Sequence, residues 1–260
     1  MLRRLSRSVA RVSLAFVFVF AGPGAAVALE PPEVSYPALP RTADSAEGFV
    51  PPGWILVISD TGDLNKDGRP DLLLVLRQDD PANVVENEPG CPGVRELDTN
   101  PRILAVAFAQ RKGGFALAFE SHEFIPRYDT PTIDDPFSYA EIADGAIQIC
   151  LHYWANAGSW YTSDTKYIIR YRSGAFRLVG LEDYTTKRNT GETWHLRLDF
   201  VARKAELTLG NFSDDEDKEV TYRKKLPREP LLIIEEADCG WEISPEPCDL
   251  SWWELTESSE

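Results

Sequence analysis

Short apolar runs separated by turn residues are the feature that most constrains how this chain can fold. The runs are rich in β-branched and aromatic residues, as in 167–171, and several are joined by tight turns such as Arg-Lys-Gly-Gly at 111–114. Neighbouring strands with such short connections are antiparallel, because a parallel pair needs a crossover of about a dozen residues or more. Since no long amphipathic helical stretch stands out, the sequence predicts an all-β antiparallel meander that forms a sandwich or an open barrel.

The predicted elements begin with one short N-terminal helix at 43–49, ended by a Val-Pro-Pro-Gly turn. The predicted strands follow at 54–59, 71–77, 103–110, 115–120, 146–154, 161–172, 176–184, 194–201, 205–209, 220–226 and 231–234. We expect a single β domain over 49–253. A proline-rich lead precedes it at 29–48, which we expect to be extended and poorly packed over 31–40, and a disordered tail follows at 254–260.

Residues 1–28 have the three parts of a cleavable secretory signal peptide. Arginines between positions 3 and 11 make a basic start, 12–21 is an apolar run, and Ala26-Val27-Ala28 offers a small-x-small cleavage site. The apolar run is shorter than the ~20 residues that a membrane-spanning helix needs. We therefore expect export of the mature chain to the periplasm or the extracellular space, where disulfides can form.

The charge balance narrows the classes of partner. The chain has 42 acidic and 27 basic side chains, a formal net charge of −15. Nucleic acid and anionic lipid are disfavoured as partners, because both attract clustered Lys and Arg. No later apolar stretch is long enough for a transmembrane helix, so we expect no membrane insertion of the mature chain. An acidic surface suits solubility, a cation, or a basic partner.

All four cysteines follow the predicted signal peptide, at Cys91, Cys150, Cys239 and Cys248. An even number in an exported chain indicates disulfides, and four cysteines allow three pairings. We favour Cys239–Cys248, which closes a short loop containing glycine and prolines, together with Cys91–Cys150. Zinc is the competing use, but the spacing contains no Cys-x-x-Cys pair.

Residues 62–71 (Gly-Asp-Leu-Asn-Lys-Asp-Gly-Arg-Pro-Asp) carry the D-x-N-x-D-G-x-x-D spacing of a calcium loop. Calcium takes six to eight oxygen ligands, and alternate residues of one loop can direct their oxygens to one centre. The predicted ligands are the side chains of Asp63, Asn65, Asp67 and Asp71 and the carbonyl oxygen of Arg69. The sequence therefore predicts a structural Ca²⁺ ion in this loop.

The same residues allow a second interpretation. Asp and Asn side chains also bond to nearby backbone amides in ordinary turns, so the loop could hold its shape without an ion. It is not a complete EF-hand, since Leu74 stands where the bidentate glutamate belongs and strands flank the loop. For that reason the expected calcium affinity is in the ~10⁻⁴–10⁻³ M range of extracellular modules.

The loop and the run after it resemble the FG-GAP/VCBS-type repeats, in which an aspartate-rich loop binds calcium between strands of a propeller blade. Only one such loop occurs, so the resemblance implies the loop and not a whole propeller.

Residues 50–210 are also similar to a family of uncharacterised exported bacterial proteins. The shared elements are Asp135-Pro136-Phe137, His152-Tyr153, Gly158-Ser159-Trp160-Tyr161, 167–171 and Thr190-Gly191-Glu192. Members often carry a Cys-Gly-Gly element, where this chain has Tyr128-Asp129-Thr130. The resemblance implies export and a β fold but no activity.

Catalytic motifs are weak. The three histidines, His122, His152 and His195, are far apart and form no zinc motif, and Ser159 lacks a Gly-x-Ser-x-Gly elbow. We define the residues His152, Trp154, Ser159 and Trp160 as the aromatic face, a candidate ligand surface. The leading hypothesis is an exported, non-catalytic β protein with a structural calcium loop and no assigned molecular role; an envelope protein or a glycan is the candidate partner. The alternatives are a hydrolase acting on glycan or peptide at the aromatic face, and a protein-interaction module that uses a sheet edge.

Overall fold

The computed structural model describes residues 31–213 and 219–234. The predicted signal peptide, the predicted tail and the predicted Cys239–Cys248 bond lie outside the described residues. The strands are β1 (Thr42–Ala43), β2 (Trp54–Gly62), β3 (Asp71–Gln78), β4 (Val84–Glu86), β5 (Glu96–Asp98), β6 (Arg102–Ala109), β7 (Phe115–Ser121), β8 (Phe137–Ala143), β9 (Ala146–Trp154), β10 (Tyr161–Arg172), β11 (Ala175–Lys187), β12 (Glu192–Asp199), β13 (Lys204–Asn211) and β14 (Val220–Lys225).

The strands form two large antiparallel sheets and a small one. A five-stranded sheet has the order β1-β7-β6-β3-β2, a seven-stranded sheet runs β14-β13-β12-β11-β10-β9-β8, and β4 pairs with β5. The seven-stranded sheet is an uninterrupted meander, as predicted. In the five-stranded sheet, β3 pairs with β6 because the small β4–β5 ribbon is inserted between them in sequence. The all-β antiparallel prediction is confirmed.

The main core lies between the two large sheets. The five-stranded sheet contributes Leu73, Val106 and Phe119, and the seven-stranded sheet contributes Ile149 and Tyr167. All are at most 5% exposed. Because the inner faces of both sheets meet in one apolar layer, the molecule is a sandwich, within the predicted class.

The five-stranded sheet is also covered on its other face. Leu74, Leu76 and Ile103 pack there against Leu39 and Phe49 from the N-terminal segment. The prediction of a poorly packed lead is therefore wrong for this part of it. Covering both faces explains the sequence of β3, which reads as a continuous apolar run instead of an alternating one.

Other predicted elements differ in detail. The predicted helix at 43–49 shrinks to a single 3₁₀ turn at Glu47–Phe49, since Thr42 and Ala43 pair with β7 instead. The predicted strand at 231–234 is an isolated bridge between Ile233 and Arg177. Strand β8 and the β4–β5 ribbon were not predicted. No helix in the described ranges is both long and apolar enough to cross a bilayer.

The packing of the N-terminal segment gives a stability prediction. Replacing Phe49, which is fully buried, with Ala should lower the free energy of unfolding by about 3–5 kcal/mol, because a cavity opens under the sheet. Val57→Ala, at a side chain 42% exposed on β2, is the control and should change stability by less than about 1 kcal/mol. Urea unfolding followed by tryptophan fluorescence measures both. Equal small losses would show that the segment does not stabilise the domain.

Candidate functional site

The aspartate-rich loop connects β2 and β3, where Gly62 pairs with Asp71 as the last rung of the ladder. Two residues in it have positive φ angles, Lys66 at 65° and Gly68 at 81°. Glycine adopts this conformation without a steric penalty, which accounts for Gly68 at the sharpest part of the turn. The loop is thus a compact turn closed by a strand pair.

Asp63 and Asn65 direct their side-chain oxygens into this turn. The amide of Asp67 donates to both Asp63 Oδ1 at 3.1 Å and Asn65 Oδ1 at 3.0 Å. The amide of Gly68 donates to Asp63 Oδ2 at 2.9 Å. The first two predicted ligands are therefore brought to one centre, around the backbone of the turn.

Asp67 has two kinds of partner. Its Oδ1 accepts the amide of Arg69 at 3.0 Å, and its Oδ2 forms an ion pair with the Arg69 guanidinium. The Arg69 Nε also donates to the carbonyl oxygen of Ala109 at 3.2 Å, at the end of β6. The Arg69 side chain therefore holds Asp67 against the sheet, a role that the sequence analysis did not assign.

Asp71 is buried and serves the backbone. Its Oδ2 accepts the amides of Leu64 at 2.9 Å and Asn65 at 3.3 Å, and its Oδ1 accepts the amide of Ala109 at 3.0 Å. The residue is completely inaccessible to solvent. Asp71 thereby joins the start of the loop to the end of β6, with both oxygens in use.

The donor set of the loop suits a hard cation. A carboxylate has about four acceptor positions, so Asp63 and Asp67 keep free lone pairs beside their amide bonds. Over 31–213 and 219–234, no three or more His, Cys, Asp or Glu side chains are grouped closely enough to hold a metal. An ion in this loop would therefore rely on Asn65 and backbone oxygens as well as on the two aspartates.

The aromatic face lies on β9 and the turn after it. His152 Nδ1 is 2.9 Å from Asp164 Oδ1, its cross-strand neighbour on β10. The Ser159 hydroxyl instead accepts the amide of Tyr161 at 3.1 Å. No hydrogen bond joins Ser159 to His152 within the described part of the chain. The geometry thus gives His152 a carboxylate partner and gives Ser159 a place in a turn.

Arg188 covers part of this surface. Its guanidinium lies 4.8 Å from the centre of the Trp154 ring and donates to the carbonyl oxygens of Ala155 at 2.5 Å and Ser159 at 2.8 Å. Trp160 next to it is 62% exposed. Of the two tryptophans of the aromatic face, only Trp160 presents most of its ring to solvent.

The predicted Cys91–Cys150 disulfide is wrong, since both residues are free thiols. Cys150 is in the middle of β9, with Lys166 as its cross-strand neighbour, and is buried. Cys91 lies outside the large sheets, in the connection between β4 and β5. Burial raises the pKa of Cys150 to about 11, which makes it an unreactive thiol at neutral pH.

A ladder of charges crosses the outer face of the seven-stranded sheet. Neighbouring strands from β10 to β14 place Lys166, Glu182, Arg197, Glu206 and Arg223 in one register row. Ion pairs join Lys166 to Glu182 and join Glu206 to both arginines of the row. The hydrogen bond that Lys166 donates to the Glu182 carboxylate raises the pKa of Lys166. Sequence reasoning missed this row, because it depends on the register of five strands.

Asp183 is a buried carboxyl on the opposite face of β11. The Thr165 hydroxyl donates to its Oδ2 and the Thr185 hydroxyl to its Oδ1, each at 2.7 Å. Burial raises the pKa of Asp183, while these two hydrogen bonds act against the rise.

No family model, curated protein or solved structure matches this chain.

The Asp71 contacts predict a large effect of a small substitution. Asp71→Asn should lower the free energy of unfolding by roughly 3 kcal/mol. The substitution removes charge-assisted hydrogen bonds and places a side-chain NH₂ group where a carboxylate oxygen accepted backbone N–H groups. Asp79→Asn, at an exposed position just after β3, is the control and should stay within about 0.5 kcal/mol. Chemical denaturation in the presence of a chelator measures both. Matching values for the two variants would mean that the Asp71 contacts contribute little.

The raised pKa of Asp183 predicts a pH dependence. In the folded protein the Asp183 carboxyl stays protonated at pH values where the unfolded chain has lost this proton. The contribution of Asp183 to stability therefore falls as pH rises from about 4 through the raised pKa. Asp183→Asn removes this titration. Relative to the natural chain, the variant should therefore gain stability as the pH rises from about 4 through the raised pKa, as measured by urea unfolding at each pH. A difference that is independent of pH would contradict the assignment.

Proposed function

We propose that this chain is an exported, non-catalytic β-sheet protein whose loop at 62–71 holds a structural calcium ion, and that it binds a partner outside the cytoplasm. The observation that carries the calcium proposal is the convergence of Asp63 and Asn65 on a single backbone amide. Export rests on the signal-like sequence of 1–28, and the resemblance to FG-GAP/VCBS-type loops agrees with the ion.

Asp63, Asn65 and Asp67 would hold the ion from one side of the turn. Each accepts a backbone hydrogen bond and keeps at least one lone pair for a further partner. When bound, calcium would supply a fixed positive charge among oxygens that otherwise face only amides and one guanidinium. Asp71 contributes by fixing the loop ends, since its own oxygens are already in use.

Arg69 is a competitor for the ion. Its guanidinium pairs with the same Asp67 carboxylate that calcium would use, so the chain carries its own cation at this position. Ion binding would weaken that pair, which is a reason to expect modest affinity in addition to the missing glutamate.

The position of the loop supports a structural role. Asp60 Oδ2 accepts the amide of Ile142 at 2.6 Å, which ties β2 to β8 across the two large sheets. A Cβ at Gly62 would lie 2.5 Å from the Ile142 side chain, and one at Gly145 would lie 3.5 Å from the Asp63 carbonyl oxygen. Stiffening the loop would therefore stabilise the place where the sheets join.

Calcium titration of the chain from residue 29, by calorimetry and thermal melting, tests the proposal. We expect one site with a Kd of about 10⁻⁴–10⁻³ M. At ten times Kd, binding stabilises the fold by about 1.4 kcal/mol, which corresponds to a melting temperature about 3–5 °C higher. No heat and no change in melting temperature at millimolar calcium would make the loop an ordinary Asx turn.

Three variants sharpen this test. Asp67→Asn keeps the Oδ1 that accepts the Arg69 amide but lowers the charge, so it should abolish the calcium response and leave stability in chelator nearly unchanged. Asp144→Asn removes a carboxylate from the neighbouring β8–β9 turn and should keep the response. Arg69→Gln should tighten calcium binding, because it removes the competing cation. Weaker calcium binding by Arg69→Gln would contradict the competition and show that Arg69 instead supports the site.

The hydrolase hypothesis has less support. His152 has a carboxylate partner at 2.9 Å, which is one element of a general base, but the Ser159 hydroxyl accepts a hydrogen bond within its own turn.

The interaction hypothesis has one supporting observation. β2 is the last strand of the five-stranded sheet and exposes Ile55 and Val57, which are 40% and 42% accessible.

A further inference from the structure

A groove of about 650 Å³ lies on the outer face of the seven-stranded sheet, beside the aspartate-rich loop. Strands β10, β11, β12 and β13 all contribute to it, and Lys66 of the loop and Gly145 of the β8–β9 turn form one side. Its size falls within the ~300–1,000 Å³ of ligand pockets in proteins. None of its residues belongs to the predicted calcium ligands or to the aromatic face.

Gly180 lines the groove. It lies opposite Ile168 of β10 and Asp199 of β12, so the row across the outer face has no side chain at this position. A Cβ at this position would lie 3.2 Å from the Leu198 carbonyl oxygen and 3.3 Å from Ile168 Cδ1. A glycine inside a strand permits the close approach of another group to the backbone.

The charged residues of the groove divide into two sets. The acids are in use: Glu182 pairs with Lys166, Glu206 pairs with Arg197, and Asp199 Oδ1 accepts the amide of Ala202 at 2.7 Å. Four cations of the groove have no ion pair within the described residues: Lys66, Arg170, Arg172 and Lys204. Arg170 and Arg172 project to one face of β10, because they are two residues apart in a strand.

This surplus of positive charge stands out in a chain with a net charge of −15. The groove carries five cations and three carboxylates, and such an excess of one sign of charge in a concave surface attracts ligands of the opposite sign. Arginine guanidinium groups also bind carboxylate and phosphate oxygens in pairs. Ile168 and Val179 are apolar residues of the remaining lining, and they suit the uncharged body of such a ligand.

We propose that this groove binds a ligand carrying two or more anionic groups, with Arg170, Arg172 and Lys204 as its charge contacts and Gly180 as the floor. Carboxylates of an acidic saccharide and phosphates of a polyphosphorylated sugar share this chemistry. Lys66 adds a fourth cation from the loop. The groove is separate from the calcium ligands, so the proposal does not depend on an ion in the loop.

The test measures binding of two probes to the chain from residue 29 in chelator, at low salt and again at about 150 mM salt. The probes are inositol hexakisphosphate and a short galacturonic acid oligomer, with a glucose oligomer as the neutral control. We expect saturable binding of at least one anionic probe, weakening as salt rises, and no binding of the neutral oligomer. The probe that binds more tightly shows whether the groove prefers phosphate or carboxylate groups in its ligand.

Charge reversal locates the site. Arg172→Glu with Lys204→Glu should weaken anion binding at least tenfold, since both are exposed residues of the groove. Arg111→Glu with Lys112→Glu makes the same change in net charge at the β6–β7 turn and should leave binding within twofold. Equal losses in the two variants, or no binding of either anion by the natural chain at low salt, would overturn the proposal. If the first variant fails to melt cooperatively, Arg172→Gln replaces it with the same expected direction.

Discussion

Burial of the five-stranded sheet on both faces is the constraint on which the rest of the structure depends. One face meets the seven-stranded sheet and the other is covered by the segment that contains Leu39 and Phe49. Strand β3 is therefore apolar along most of its length, and its side chains contribute to both cores. The loop before β3 inherits its position from this strand, because Asp71 begins β3 and holds the loop by its carboxylate.

How much the sequence predicts depends on how local the signal is. Strand β9 and strand β10 were predicted with their observed bounds, because each is a long run of β-branched and aromatic residues ended by turn residues. Strand β8, with the sequence Phe-Ser-Tyr-Ala-Glu-Ile-Ala, lacks such a run and is held in place by pairing with β9. The predicted helix shrank because pairing of Thr42 and Ala43 with β7 replaced helical bonds in the same residues.

The candidate sites follow the same rule. The convergence of Asp63 and Asn65 is a property of ten consecutive residues and could be predicted from their spacing. The spacing of the loop predicted Asp71 as a calcium ligand, because spacing contains no information on burial. The burial of Asp71 depends on the amide of Ala109, which is distant in sequence. The groove around Gly180 joins residues from four strands and three connections between strands, and its charge becomes visible only when the register is known. The Cys91–Cys150 pairing failed for the same reason, since a count of cysteines contains no distances.

The ladder of alternating charges on the outer face ends on β14, the last strand of the seven-stranded sheet. Within 31–213 and 219–234 this strand has a neighbour on one side only, and it exposes Arg223 and Lys225. A second copy of the molecule that paired edge to edge would bring these cations against their own counterparts, at a cost in repulsion. The basic residues that complete the ladder thus also disfavour edge-to-edge pairing at this strand.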